Sequence, residues 1–266
     1  MASLHFENKW VLITGASSGL GHEMALQLAI VHKANVILVA RRVEKLLQLK
    51  ETIETQSTSK VKTITADLSN LNDIDKVLTE VLADNNLYAA ILNAGVTFFG
   101  SHLQLEWDVF AMMLQTNVTG MVKMTTELTR YFEKTQQPGG IMVVSSMAAV
   151  LPTPYQAAYA GTKGFMLNFI TALSHEVSNK NLSYTVYLPG GMQTEMTDND
   201  KFSPLKNWLM PVQTAAAKGI NAFIKRKATF VPGAMNKFGA IISGIVPKHL
   251  IVKSMAKTYG KALKNK

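Results

Sequence analysis

Cysteine is absent from this 266-residue chain. That excludes disulfides, thiolate nucleophiles and cysteine-bound metals, and no metal is expected in the chemistry. Long hydrophobic runs are absent too. No stretch approaches the roughly 18 to 20 apolar residues that a membrane-spanning helix needs, and the opening Met1 to Glu7 is too polar for a signal peptide. A cytoplasmic location is the expectation. Acidic residues stop at Asp200, beyond which 13 basic residues meet no carboxylate, whereas the first 200 residues carry 14 basic and 18 acidic ones. The net charge of +9 therefore belongs to the tail and says little about the main body.

The remainder reads as a globular α/β chain. Nearly half the residues are apolar, enough for a substantial core, and neither a repeat nor a low-complexity gap divides the sequence. Apolar runs of strand length occur at Trp10 to Ile13, Val36 to Val39, Val61 to Thr65, Ala89 to Leu92, Ile141 to Val144 and Tyr184 to Tyr187. They lack polar alternation, as strands covered on both faces should. Helices are predicted near 19–32, 43–55, 71–83, 105–133 and 156–178. Asp67 to Asn70 offers caps for the third helix, and Pro138-Gly139-Gly140 is expected to break the long one. Strand–helix alternation predicts a doubly wound parallel sheet, the Rossmann type of α/β fold. Residues 1–232 are expected to form the catalytic domain, with a substrate lid near 192–211, and 233–266 a basic apolar C-terminal extension.

The first strand runs into Thr14-Gly15-Ala16-Ser17-Ser18-Gly19-Leu20-Gly21 and then an apolar helix. Glycines there let backbone approach a pyrophosphate, and the helix N-terminus supplies free N–H groups and a favourable dipole. The second strand ends Val39-Ala40-Arg41-Arg42, where an NAD-binding fold usually carries Asp or Glu for the ribose 2′-hydroxyl. Guanidinium groups match a 2′-phosphate instead. NADP(H) is the expected cofactor, with Arg41 as main contact and Arg42 as a second.

Ser146 is followed thirteen residues later by Tyr159, and Lys163 stands one helical turn beyond the tyrosine. A free phenol has a pKa near 10, so it is a weak base at neutral pH. A neighbouring ammonium stabilises the phenolate, which would bring proton exchange with an alcohol or carbonyl within reach. Ser146, at the C-terminal end of its strand, can hydrogen-bond the same substrate oxygen.

With these residues the sequence resembles the classical short-chain dehydrogenase/reductase family. The matching elements are Thr14-Gly15 with Gly19-Leu20-Gly21, Asn93-Ala94-Gly95, Asn117, Ser146, Tyr159 with Lys163, and Pro189-Gly190 with Thr194, in order across about residues 9 to 231. The resemblance implies Tyr159 as general acid/base, Ser146 as the group that polarises the substrate, and Lys163 as both ribose ligand and tuner of the tyrosine. It implies that Asn117 holds a water leading from Lys163. Asp67 and Leu68 would lie near adenine, Asn93, Ala94 and Gly95 would line the cofactor cleft, and Pro189, Gly190 and Thr194 would contact the nicotinamide half. It also implies a homodimer or homotetramer built through the helices 105–133 and 156–178.

Phe98, Met147, Tyr155, Met192, Met196, Phe202 and Trp208 flank these motifs and are expected to form an adaptable apolar substrate site, suited to a bulky acyl, sterol or aromatic ketone; the alternative is that they are ordinary core or lid residues. The tail joins Phe238, Ile241, Ile242, Ile245 and Val246 to spaced lysines. It either lies on an anionic membrane surface or packs across the substrate opening or a partner subunit, and the glycines and prolines that interrupt it favour packing. No module for reading nucleic acid accompanies the charge. A catalytically silent dinucleotide-binding protein would be expected to lack the serine, tyrosine or lysine, and all three are present; a membrane-recruited scaffold is the other alternative, and it would keep its activity on Tyr159→Phe.

Overall fold

The structure is a computed structural model and describes residues 1–84, 86–194 and 209–264. Seven strands form one parallel sheet: β1 (Trp10–Thr14), β2 (Asn35–Ala40), β3 (Val61–Thr65), β4 (Leu87–Leu92), β5 (Gly139–Val144), β6 (Leu182–Tyr187) and β7 (Thr229–Phe230). Their order is β3-β2-β1-β4-β5-β6-β7, so the chain starts in the middle and winds outward in both directions. Among the described residues nine α-helices connect or follow them: α1 (Gly19–Ile30), α2 (Val43–Gln56), α3 (Leu71–Leu82), α4 (Trp107–Leu114), α5 (Gly120–Thr135), α6 (Ala157–Glu176), α7 (Val212–Ile224), α8 (Ala234–Ile245) and α9 (Lys248–Lys264).

Strand residues alternate between two apolar layers, which is why no polar alternation appears in the sequence. Val11 and Ile13 face α1, α2 and α7 through Met24, Leu28, Leu49 and Phe223. Leu12 faces α3, α5 and α6 through Val77, Met124 and Ile170. The same division runs along β2, where Val36 and Leu38 point one way and Ile37 and Val39 the other. Only β3, at the edge, mixes buried and exposed positions.

The long predicted helix has an interruption in it. Between α4 and α5, Gln115–Thr119 form a π-turn, a widening that recurs at functional sites. Its end also differs from expectation. Gln136 terminates α5 in the left-handed region at φ 52°, while Gly139 and Gly140 are the buried first residues of β5 rather than the breaker. A Cβ on Gly140 would stand 2.7 Å from the Phe223 ring, so close packing against α7 accounts for that glycine. Sequence periodicity also missed α7 and β7. The first is rich in Ala and packs on α1, where Gln27 Nε2 donates to Gln213 O at 3.0 Å; the second is two residues long.

The tail is more helical than its glycines and prolines suggested. It bends at Val246-Pro247 and is otherwise two helices. α9 packs on the body, with the Tyr259 ring edge-on to Phe99 at 5.8 Å and Gly260 against the Tyr155 hydroxyl.

Candidate active site

In an open doubly wound sheet the crevice opens where neighbouring strands depart in opposite directions. Here that point lies between β1 and β4, whose C-terminal ends are bolted together. Thr14 Oγ1 accepts from Asn93 N at 2.9 Å and from Ala94 N at 3.1 Å. Asn93 Nδ2 donates to Thr14 O at 3.1 Å and Gly15 O at 3.3 Å. A cleft of about 380 Å³ opens above this joint. Gly15, Ser17, Ser18, Gly19, Leu20, Arg41, Arg42, Asp67, Leu68, Asn93, Ala94, Gly95, Ser146, Tyr159, Lys163, Pro189, Gly190 and Thr194 all line it. Of the predicted set, Gly21 and Asn117 stand behind the wall rather than in it.

The glycine turn is shaped to leave its backbone bare. Gly15 has φ +66° and Gly19 φ +56°, both in the left-handed region. A Cβ at Gly15 would meet Asn93 Nδ2 at 2.8 Å and Ala94 Cα at 2.9 Å. Ser18 is the N-cap of α1, yet its side chain makes no capping bond and the first turn holds no acid. The positive end of the helix thus faces the cleft without a carboxylate of its own.

At the other lip, the two arginines divide their work. Arg42 donates from Nε and Nη2 to Ser17 Oγ at 3.2 and 3.1 Å, which carries its guanidinium to the glycine turn. Arg41 Nη1 lies 3.8 Å from Asp67 Oδ2. Burial opposes the Asp67 charge, but hydrogen bonds from Ser69 and the charge of Arg41 prevail and hold the carboxyl below its ordinary range. Both guanidinium groups thus stand at this lip, Arg41 beside Asp67 and Arg42 beside Ser17.

The catalytic candidates come from three elements. Ser146 ends the turn after β5, and its Oγ accepts from Ala148 N at 3.1 Å, leaving the hydroxyl proton free to donate. Tyr159 sits in the first turn of α6 and shares a hydrogen bond with Ser146. Lys163 is buried one turn later, where its Nζ donates to Val144 O at 3.0 Å and lies 5.8 Å from the Tyr159 ring centre. Burial drives the Lys163 pKa down to about 8. It drives that of Tyr159 upward, and the Ser146 hydrogen bond only partly offsets this. The ammonium was expected to make the phenol more acidic; desolvation wins instead, so the side chain is a protonated phenol at neutral pH.

Asn117, fully buried, belongs to the π-turn. Its Oδ1 accepts from Val96 N at 2.8 Å, and its Nδ2 donates to Val96 O at 2.8 Å and Thr162 Oγ1 at 3.1 Å. Thr162 donates in turn to Tyr159 O at 2.7 Å. The side chain thus clamps the β4 loop to the helix that carries the tyrosine. A Cβ on Gly95 would lie 3.2 Å from both Asn117 Oδ1 and Lys163 Nζ, so glycine lets the three residues converge.

The sequence reading passed over Thr162 and Ser145, whose Oγ donates to Lys163 O at 2.9 Å. Their proximity to Tyr159 and Ser146 in the chain was the available signal. It also passed over Asn236, which meets Gly190 from α8; nothing in the sequence pointed to it. Of the expected substrate-site residues only Met192 lines the cleft. Phe98, Met147 and Tyr155 do not line it, and Met196, Phe202 and Trp208 lie outside the described residues. Among the described residues, no group of three His, Cys, Asp or Glu is placed to hold a metal.

The family model described as short chain dehydrogenase matches residues 9–203. The chain belongs to that family. Its members are oxidoreductases acting on CH–OH and C=O groups, built on the fold seen here. The chain is 29% identical to mouse 17-beta-hydroxysteroid dehydrogenase type 3 over 262 residues, covering 94% of this chain and 80% of that protein. It spans only 61% of the rat and human proteins of that name. Among solved structures, it superposes on a short-chain dehydrogenase from Sphingobium yanoikuyae in complex with NADPH with TM-score 0.80 and 24% identity, covering 89% of this chain and 93% of that one. It superposes on a 7beta-hydroxysteroid dehydrogenase with TM-score 0.82 and 22% identity, covering 96% and 100%.

Proposed function

We propose that this protein uses NADP(H) to reduce a bulky, lipophilic ketone. One observation carries the reading: Ser146, Tyr159 and Lys163 line the same cleft as a bare glycine turn and two arginines. The bare turn of Gly15 to Gly21 and the uncapped start of α1 suit a pyrophosphate. Ser17 and Arg42 suit a 2′-phosphate, with Arg41 contributing charge from beside Asp67. Leu68 and Asp67 flank the adenine end; Asn93, Ala94 and Gly95 form the floor; and Pro189, Gly190 and Thr194 close on the nicotinamide half. The cofactor, when bound, supplies the hydride.

The chain's own residues handle the proton. Ser146 donates to the carbonyl oxygen, and Tyr159 delivers its phenolic proton to that same atom as charge builds on it. Lys163 then stabilises the phenolate left behind. Asn117 and Thr162 are positioning residues that hold Tyr159 and Val96 in register. Burial holds Tyr159 in its protonated form, the form that donates to a carbonyl oxygen.

A sterol-like substrate is supported by the likeness to the mouse enzyme named for a hydroxysteroid and by the apolar Met192 at the cleft. The division into a catalytic body, 1–232, and an extension, 233–266, belongs to the same reading, as does a reducing, cytoplasmic setting. A homodimer or homotetramer is supported by apolar side chains left open on α4 and α6: Trp107 is 76% and Phe165 48% exposed. Sedimentation velocity measures that assembly, and a monomer would refute it. The test of function is NADPH oxidation against ketones graded by chain length and ring number. Ring systems and long chains should turn over fastest; short polar ketones outpacing them would overturn the substrate assignment.

A further inference from the structure

α8 is built inside out. Its small and polar side rests on the body, where Ser243 is buried and Asn236 lies against Gly190 while donating to Pro232 O at 2.9 Å. Its large apolar residues face away: Met235, Phe238, Ile241 and Ile245 are 68, 65, 63 and 78% exposed. They recur every three or four residues and make one helical stripe. Hydrophobic burial alone would have turned this helix over. Its neighbour α9 follows the ordinary rule. Tyr259 packs on Phe99, Ile251, Val252 and Met255 are half-buried, and Lys253 and Lys257 are exposed.

We propose that α8 docks this protein onto an anionic lipid surface, with the stripe of Met235, Phe238, Ile241 and Ile245 seated among the headgroups. Charge selects this occupant. Lys248 follows the stripe, Lys253 and Lys257 come after it, Lys237 within the span lies over the Phe230 ring at 5.7 Å, and no carboxylate occurs anywhere after Asp200. Apolar side chains beside acid-free lysines are the pattern of a helix lying in a membrane interface. A second copy fits the face poorly, because an isologous contact through α8 would bring both sets of lysines together with no acid in either tail. Insertion across the bilayer is not at issue, since none of the described helices is long and apolar enough to cross one. Docking would set the Gly190 side of the cleft, which Asn236 touches, close to the lipid.

The test reads partition rather than turnover, so it fails or succeeds independently of the ketone assignment. Full-length protein is floated with phosphatidylcholine vesicles and with phosphatidylcholine vesicles doped with phosphatidylglycerol. Binding to the doped vesicles is expected at low salt and should weaken as salt is raised. Phe238→Ser with Ile241→Ser should lower partition by about tenfold or more while the thermal transition is retained, these being exposed positions. Lys253→Gln with Lys257→Gln should reduce binding to doped vesicles and leave the weak binding to neutral ones unchanged. Failure to bind doped vesicles overturns the proposal, as does binding that survives the Phe238 and Ile241 changes. So does an unbound protein whose sedimentation coefficient drops with those changes, which would make the face a contact between copies.

Discussion

With NADP(H) as the proposed cofactor, replacing Arg42 by alanine should weaken NADPH binding and spare NADH binding. The guanidinium reaches Ser17 Oγ with two donors, at 3.2 and 3.1 Å, on the lip where a 2′-phosphate would sit. A hydrogen bond to a charged partner contributes about 1.5–3 kcal/mol, which corresponds to roughly 10- to 150-fold in affinity. Arg42 is exposed, so solvent screening places the loss at the low end, about tenfold. Arg41 should matter less. It is 60% exposed and already held 3.8 Å from Asp67, and surface pairs of that sort contribute about 0–1 kcal/mol, at most about fivefold. Ser17→Ala and Arg42→Ala should be non-additive because the two groups share one contact. The assay is fluorescence titration of NADPH and NADH against each variant. NADPH affinity should fall and NADH affinity should stay put. Equal losses for both cofactors, or a larger loss from Arg41→Ala, would refute the assignment of the 2′-phosphate to Ser17 and Arg42.

Four further outcomes are expected. Lys163 titrates near pH 8 because burial disfavours its charge; as pH rises through that value the ammonium is lost, so kcat/KM for reduction should be level below it and decline above. A profile flat to pH 10 would contradict this, and Lys163→Arg should push the decline to higher pH. Tyr159→Phe removes the proton donor and should cost about 10²–10⁴ in turnover, with NADPH affinity kept within about threefold; parallel losses in both would mean the residue is structural. Gly15→Ala forces a side chain into φ +66° and onto Ala94 Cα, which should destabilise the protein by about 1–3 kcal/mol and abolish cofactor binding. By contrast Gly161→Ala, where a Cβ meets nothing within 4 Å, should raise the melting temperature slightly; a lower one would mean that the space around Gly161 is not open.

The motif residues were legible because their chemistry is local. Tyr159 and Lys163 share a helix face by their spacing alone, and the turn from Thr14 to Gly21 declares itself by needing bare backbone. Six of the seven strands were legible for a similar reason, since a buried parallel strand is a short apolar run whatever surrounds it. Boundaries such as Gln136 and the start of β5 were not, because glycine there answers to the Phe223 ring across the layer rather than to any turn.

Properties that depend on distance and burial belonged to the tertiary structure. Whether the phenol is pushed toward acid or away from it is a contest between desolvation and the Ser146 hydroxyl, and only depth in the fold decides that desolvation wins. The neighbours of Arg41 and Arg42 are Asp67 and Ser17, 26 and 25 residues away, and only the fold brings them together. The orientation of α8 was likewise beyond the sequence: helical spacing marks an apolar stripe, but which side of a helix meets the body is fixed by the surface it lands on. The residues determined which reactive groups the chain carries, and the packing determined their protonation, their partners and the face left open.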